Sequence, residues 1–370
     1  IKLLHPWIYQ RSCVNIPNNL SNGELVAVEY KDNIVGVGFF FSNSLFALKI
    51  LEFNCSDIDL KKIVRKKIEN ALFLRKDKLQ EKNCVLRLFN AEADGIPGVV
   101  IELYDKILVI QYHNSAVEIL DKLIIAQLTD LLNITDISIF EIRANNQRGW
   151  LLNPRHLPFE CEIDGIKMLI DFNLQKTGYY LDQRENRKFI QTIVKNGMRM
   201  LDAFAYTGAF ALYCLKADAI VDIIEVSKNS CEIFAKTCEL NNFRNYNIFC
   251  GRVEKILAEL PADIKYDLIL LDPPALATNK NQLKNALKYI SKIFELSLTK
   301  IKDNGIITVS VCSLALTGIE LKQTLVSSAA KHNFRLRLLD ERRAATDHTI
   351  LLNFPEGDYL RFLALQVIKY

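Results

Sequence analysis

The chain lacks the usual marks of a metal site, a membrane span or an export signal. Its nine cysteines, at positions 13, 55, 84, 161, 214, 231, 238, 250 and 312, form no C-x-x-C pair, and its five histidines do not gather beside them. That spacing argues against zinc, so no metal is expected, and the odd, scattered count fits free thiols in a reducing compartment. No apolar run approaches the ~18 uncharged residues of a membrane-crossing helix. The N-terminus shows no apolar stretch leading to a small-residue cleavage site. A cytoplasmic protein with no membrane partner is therefore expected. Strong charge is also missing. The net charge is only +4, and charged residues make up 24% of the chain. A mild basic excess admits an RNA partner without pointing to one. There is no internal repeat and no low-complexity segment.

What is present is ample material for cores. Half of the 370 residues are hydrophobic, which suits two or three domains. Residues 1 to about 60 read as short strands, among them 25–30, 34–41 and 47–53, and form a small all-β module. Residues 59–78 turn helical and basic. Leu60, Ile63, Val64, Ile68, Ala71 and Leu72 recur at helical spacing, and eight Lys or Arg stand against two acids after Asp59. Such a face is either merely solvated or contacts phosphates. A compact α+β unit follows, roughly 80–155. A hairpin over 162–173 turns at Asp164-Gly165, and a helix is expected over 187–196. Strands at 199–203, 219–225, 246–250, 268–272, 305–311 and 334–340 then alternate with helices. A last hairpin is expected through 350–354 and 359–367. Alternation of this kind defines an α/β fold with a largely parallel sheet.

Open α/β sheets hold ligands at the carboxyl ends of their strands. Two short segments end such strands in an acid and a loop. One is M-L-D-A-F-A-Y-T-G-A-F, Met200 to Phe210; the other is Y-D-L-I-L-L-D-P-P-A, Tyr266 to Ala275. In the first, Asp202 ends the strand and Gly208 stands at the turn into a helix, where glycine allows close approach to a ligand. The loop is not G-x-G-x-x-G, so a nucleoside cofactor suits it better than a pyrophosphate. Glu225 ends the next strand and is placed to accept from ribose hydroxyls. In the second, Pro273 and Pro274 stiffen the loop after Asp272, and an acid on so rigid a strand end can grip a planar polar group. Cys312 ends the following strand. Alone it reads as a small core residue; beside Asp272 it becomes a candidate for chemistry.

These segments carry a family resemblance. The block Q-K-T-G-Y-Y-L-D-Q-R-E-N-R, the loop D-A-F-A-Y-T-G-A-F, D-P-P-A and the tail F-P-E-G-D-Y-L resemble class I S-adenosylmethionine-dependent RNA methyltransferases. More closely, the chain resembles the bacterial PUA-domain-containing large-subunit rRNA cytosine-C5 methyltransferases. H-P-W-I-Y from His5 is similar to the start of that family's PUA module, and N-A-E-A-D-G-I-P-G from Asn90 to the signature of its central domain. The resemblance implies a PUA-like RNA-binding domain over 1–70, a small α+β domain over 71–160 and a Rossmann-like methyltransferase domain over 161–370. It implies S-adenosylmethionine as cofactor, held by Asp202, Phe204, Tyr206, Gly208, Glu225 and Asp272 with Asp182, Gln183 and Arg184. It implies large-subunit rRNA as partner, met by Pro273, Pro274, Lys61, Lys62, Arg65 and Lys66; a homodimer is left open. The chain departs from the family at Ala209, Glu225, Arg252, Val311 and Thr349.

Within this resemblance Cys312 is the expected nucleophile. C5 of cytosine is a poor nucleophile until a thiolate adds to C6. Asp272 is expected to hold the N3/N4 edge of a base turned out of its stack. Two other readings stay open: methylation of a guanine N7 or an exocyclic amine, which needs no thiolate, and a non-catalytic RNA-binding assembly factor.

Overall fold

The computed structural model describes residues 3–42, 44–54, 58–81, 83–277 and 279–370. The chain divides into two compact units, one of residues 1–157 with 346–357, the other of residues 158–345 with 358–370. Among the described residues no helix is long and apolar enough to cross a membrane.

The first unit opens with a four-stranded antiparallel sheet of β1 (Trp7–Tyr9), β2 (Leu25–Tyr30), β3 (Asn33–Phe40) and β4 (Phe46–Phe53), in the order β1-β4-β3-β2. Val28, Phe40, Ala47, Leu48 and Ile50 form a small core on one face. Helix α1 (Leu60–Leu74) buries Ile63, Val64, Ile68 and Ala71, the positions its apolar spacing marks out. They join Val37, Phe39 and Leu51 to the inner face of a second sheet. That sheet has the order β5 (Val85–Asn90), β6 (Val99–Tyr104), β7 (Ile107–Tyr112), β8 (Ser138–Ile142), β9 (Arg148–Leu152), with helix α2 (Asp121–Leu132) between β7 and β8.

The helix expected over 59–78 is present but broken at Arg75, as Leu60–Leu74 and a further turn over Lys76–Leu79, and the Arg75 side chain turns inward. Its guanidinium, 1% exposed, meets the Asp94 carboxylate at 2.7 Å. It also donates to the carbonyls of Arg87 at 2.6 Å and Asp347 at 2.8 Å. The Asp347 carboxylate in turn accepts from the Arg87 N–H at 3.0 Å and lies 2.8 Å from His348 Nδ1.

The second unit begins with the hairpin β10 (Phe159–Ile163) and β11 (Ile166–Ile170), turning at Asp164-Gly165. Helix α3 starts at Arg184, three residues before the expected start, and ends at Ile193. The main sheet has seven strands in the order β14 (Tyr246–Cys250), β13 (Ile220–Glu225), β12 (Arg199–Ala203), β15 (Tyr266–Leu271), β16 (Ile301–Cys312), β18 (Leu360–Lys369), β17 (Phe334–Arg342). The first five are parallel, and β18 runs antiparallel to both of its neighbours. Helices α4 (Ala209–Leu215), α5 (Lys228–Leu240), α6 (Val253–Glu259), α7 (Lys280–Leu298) and α8 (Gly318–Lys331) alternate with the strands. Leu268, Ile269, Leu270 and Leu271 of β15 are all buried, as a central parallel strand covered on both faces requires.

One expected element is absent. Residues 350–354 form no strand and make no hairpin with β18. Leu352 is 90% exposed, so apolar alternation fails there. Phe354 instead packs its ring 4.7 Å from Trp7, inside the first unit. The ladder partners of β18 are β16 and β17.

The strand order reverses direction between β12 and β15. A crevice opens at such a switch point, outside the carboxyl ends of the two strands. Asp202 is the penultimate residue of the first, and Asp272 directly follows the second.

Candidate active site

A cavity of about 560 Å³ lies at this switch point, lined among others by Asp182, Gln183, Asp202, Glu225, Asp272 and Cys312. Its size is that of a small-molecule site.

Asp202 is 1% exposed. Its Oδ2 accepts from the N–H of Ala211 at 3.0 Å, tying the strand end to the first turn of α4. Its Oδ1 is buried without a hydrogen-bond partner. Burial, reinforced by Asp272 and Glu225, pushes this carboxyl up to about 8. The next residues are strained. Phe204 (φ 66°), Tyr206 (φ 52°) and Gly208 (φ 74°) are all left-handed. Strain of this kind is held in place where a loop must present itself to a ligand. Gly208 does not line the cavity. A Cβ there would meet the Phe234 ring at 2.1 Å, so glycine is needed for its φ and for packing on α5, not for approach to a ligand.

Glu225 accepts from two backbone N–H groups, Tyr206 at 2.8 Å and Ser227 at 2.7 Å. Those bonds fix its orientation at the cavity wall. Arg252, 74% exposed at the cavity edge, holds Glu254 with its Nε at 2.8 Å.

Asp272 and Cys312 end adjacent parallel strands, in register through Leu271 and Val309. Gln183 Nε2 donates to both Asp272 oxygens, at 3.3 and 3.2 Å. Enclosure by protein pushes Asp272 up to about 7, and the charge of Asp182 adds to the effect. Burial likewise pushes the Cys312 thiol up to about 11; Lys176 opposes the shift, while Asp182 and Asp272 add to it. Pro273 and Pro274 form the wall beside Asp272.

Residues 175–187 bring the remaining groups. Asp182 Oδ2 accepts from Tyr359 Oη at 2.8 Å and lies 3.8 Å from Lys176 Nζ. Lys176 sits 4.3 Å over the Tyr180 ring. Arg184 does not reach the cavity. It pairs with Asp164 at 2.7 Å and secures the hairpin turn. Arg187, one helical turn on, is the cavity arginine. It is 1% exposed, stacks 4.4 Å over Tyr179 and donates to the Tyr180 carbonyl at 2.8 Å. Lys176, Tyr180 and Arg187 were missed as site residues. Their signal was the Q-K-T-G-Y-Y-L-D-Q-R-E-N-R block, in which all three lie.

The helix α1 cations are in the first unit. Lys61, Lys62 and Lys66 are exposed. Lys62 pairs with Asp59 at 3.2 Å. Arg65 is not free for phosphate, because it binds Glu69 at 2.9 Å, Asp130 at 2.8 Å and Gln127 at 2.9 Å, fastening α1 to α2.

A seven-stranded sheet of this order, with an acid at each switch-point strand end, is the Rossmann-like class I methyltransferase fold. Residues 1–53 match the family of PUA-like domains. SMU.776, whose crystal structure was solved in complex with SAH, superposes with a TM-score of 0.87 at 21% identity, over 99% of this chain and 96% of that one. A structure described as a SAM-dependent methyltransferase from Streptococcus mutans gives 0.85 at 19%, with the same coverage. At such identities the likeness is one of fold. Sequence goes further. The ribosomal RNA large subunit methyltransferase I of Shewanella frigidimarina is 31% identical over 98% of this chain and 95% of its own length. That of Aliivibrio fischeri is 30% identical over 98% and 96%. The chain belongs to the ribosomal RNA large subunit methyltransferase I family.

Proposed function

We propose that this chain methylates carbon 5 of a cytosine in large-subunit rRNA, with S-adenosylmethionine as donor. In this reading residues 1–70 are a PUA-like RNA-binding domain, 71–160 a central domain, and 161–370 carry the transfer. One observation carries it: the Cys312 sulfur and the Asp272 carboxyl end neighbouring strands and line one cavity with Asp202 and Glu225.

The residues present fit the cofactor. The orphaned, buried Asp202 Oδ1 is an acceptor in need of a donor, and the amino-acid end of the cofactor offers one. Asp182 and Gln183 would help hold that end, Phe204 and Tyr206 would shape the wall, and Glu225 would take the ribose hydroxyls. When bound, S-adenosylmethionine supplies an electrophilic methyl group on a sulfonium.

The chain's own residues do the rest. Cys312 gives up its proton to solvent, and its sulfur forms a bond to C6 of the flipped cytosine. Asp272 delivers a proton to N3 as the C5–C6 π pair shifts to between C4 and C5, leaving an enamine. C5 then takes the methyl group as the C4–N3 bond becomes double again. Loss of the C5 proton to solvent expels the Cys312 thiolate and restores the ring, and N3 returns its proton to Asp272. The loop Asp272–Ala275 holds no second cysteine for that last step.

The two shifted groups set a pH profile. The reactive pair is a protonated Asp272, near 7, with a Cys312 thiolate, near 11. Below about 7 the acid stays protonated while the thiolate fraction grows tenfold per pH unit. Above it, loss of the acid cancels the gain in thiolate. The rate of methyl transfer is expected to climb to about pH 7 and then run level. In Asp272→Asn the break should vanish and the climb continue, at a much lower rate. A wild-type rate still rising steeply at pH 9 would exclude this pairing.

A second reading takes support from the raised thiol. A Cys312 held protonated suits a guanine or exocyclic nitrogen target, where Asp272 alone would grip the acceptor. Incubation with labelled S-adenosylmethionine and protein-free large-subunit rRNA, followed by nucleoside mass spectrometry, separates the readings. The expected product is 5-methylcytidine; a labelled guanosine or amine would replace it, and no cofactor binding in calorimetry would leave a non-catalytic RNA-binding factor.

A further inference from the structure

Helix α7 carries a row of lysines that the site does not use. Lys284, Lys288 and Lys292 follow at four-residue intervals, so they share one face, and all three are exposed. Successive members rise about 6 Å along the axis, four residues at 1.5 Å each. That is close to the spacing of successive phosphates along an RNA strand. Among the described residues, none of the three has a carboxylate in ion-pair distance. The acid on their own helix, Glu295, is taken by Lys331 at 2.9 Å and by Ser291 Oγ at 3.1 Å. Like charges at this spacing destabilise a helix, and among the described residues no carboxylate offsets that.

The row borders a groove of about 500 Å³ walled by Lys288, Tyr289, Lys292 and Lys331 and also by Glu295, whose carboxylate Lys331 pairs. Tyr289 is the link to the cavity, which it also lines. Its ring lies 6.4 Å from that of Phe204, and its hydroxyl donates to Glu254 at 3.3 Å. An anionic strand laid along the lysines therefore meets the wall of the active cavity.

We propose that this face of α7 is a phosphate track, binding the backbone of the rRNA substrate next to the modified base. The proposal deepens the rRNA reading above and rests on it. Three such contacts release bound counterions, so binding weakens as salt rises.

The test uses the full chain and a protein-free large-subunit rRNA transcript, titrated over a range of salt. In K284Q/K288Q/K292Q the slope of log affinity against log salt is expected to fall by about 2, at ~0.7 per lost contact to a single strand. KM for rRNA should rise roughly tenfold or more, with kcat and cofactor affinity unchanged. Arginine at all three positions should keep the wild-type slope. An unchanged slope and KM in the glutamine variant overturn the track while wild-type labelling of rRNA leaves the proposed function standing. Wild-type protein that neither binds nor labels rRNA sinks both.

Discussion

Cys312→Ala is expected to lose methyl transfer by on the order of 10⁴-fold or more, the scale seen when a covalent nucleophile is removed, and to keep its affinity for S-adenosylmethionine. The expectation follows from where the sulfur sits. Cys312 is the last residue of β16, pairs with Leu360 of β18, and is only partly buried. The side chain is small, and its loss leaves the ladder intact. The groups proposed to hold the cofactor belong to β12 and the loop after it, to β13 and to residues 182–183, not to β16. Binding and chemistry should therefore separate cleanly. The checks are single-turnover transfer with labelled cofactor and calorimetric titration of the same variant. Near-wild-type transfer by the alanine variant would falsify covalent catalysis and favour a nitrogen acceptor. Cys312→Ser should behave like alanine, because a hydroxyl is far harder to ionise than a thiol.

Arg75→Met is expected to destabilise the first unit by about 3–5 kcal/mol, the cost of leaving a buried carboxylate unpaired. Arg75 and Asp94 are 1% and 2% exposed, and the guanidinium also serves three carbonyls, those of Ala71, Arg87 and Asp347. Against a typical total of about 5–15 kcal/mol, that loss is large. Urea unfolding should show an early transition in the variant. Adding Asp94→Leu should recover part of it, since removing both charges is cheaper than removing one. Arg65→Ala, whose side chain is 41% exposed, should cost far less, because solvent screens its ion pairs. Equal effects at the two positions would mean that the burial of Arg75 carries no energetic weight.

The sheet was legible because its strands are near-continuous apolar runs. Ile269 to Leu271 can be little other than a strand buried on both faces, and an acid immediately after it marks the strand end. Asp202, Glu225, Asp272 and Cys312 were found by that logic. Lys176, Tyr180 and Arg187 were not, because they arrive on a segment whose path depends on the hairpin before it. Arg184 and Arg187 lie three residues apart in one helix and are both buried; only the folded contacts tell which faces the cavity and which holds Asp164. The glycine at 208 was noticed for the wrong reason, since the Phe234 ring that excludes a side chain lies 26 residues further on. The inward turn of Arg75 was hidden for the same cause: its partners Asp94 and Asp347 are remote in sequence.

The return of residues 346–357 to the first unit bears on how the molecule is made. Asp347, His348 and Phe354 complete an interior that includes Arg75, 272 residues before Asp347, and Trp7, earlier still. A nascent chain still short of that segment has Arg75 without its Asp347 carbonyl and Trp7 without the Phe354 ring. Domains elsewhere commonly fold in the order they leave the ribosome. Here the first unit must wait for a segment made after the whole of residues 158–345 before it can close.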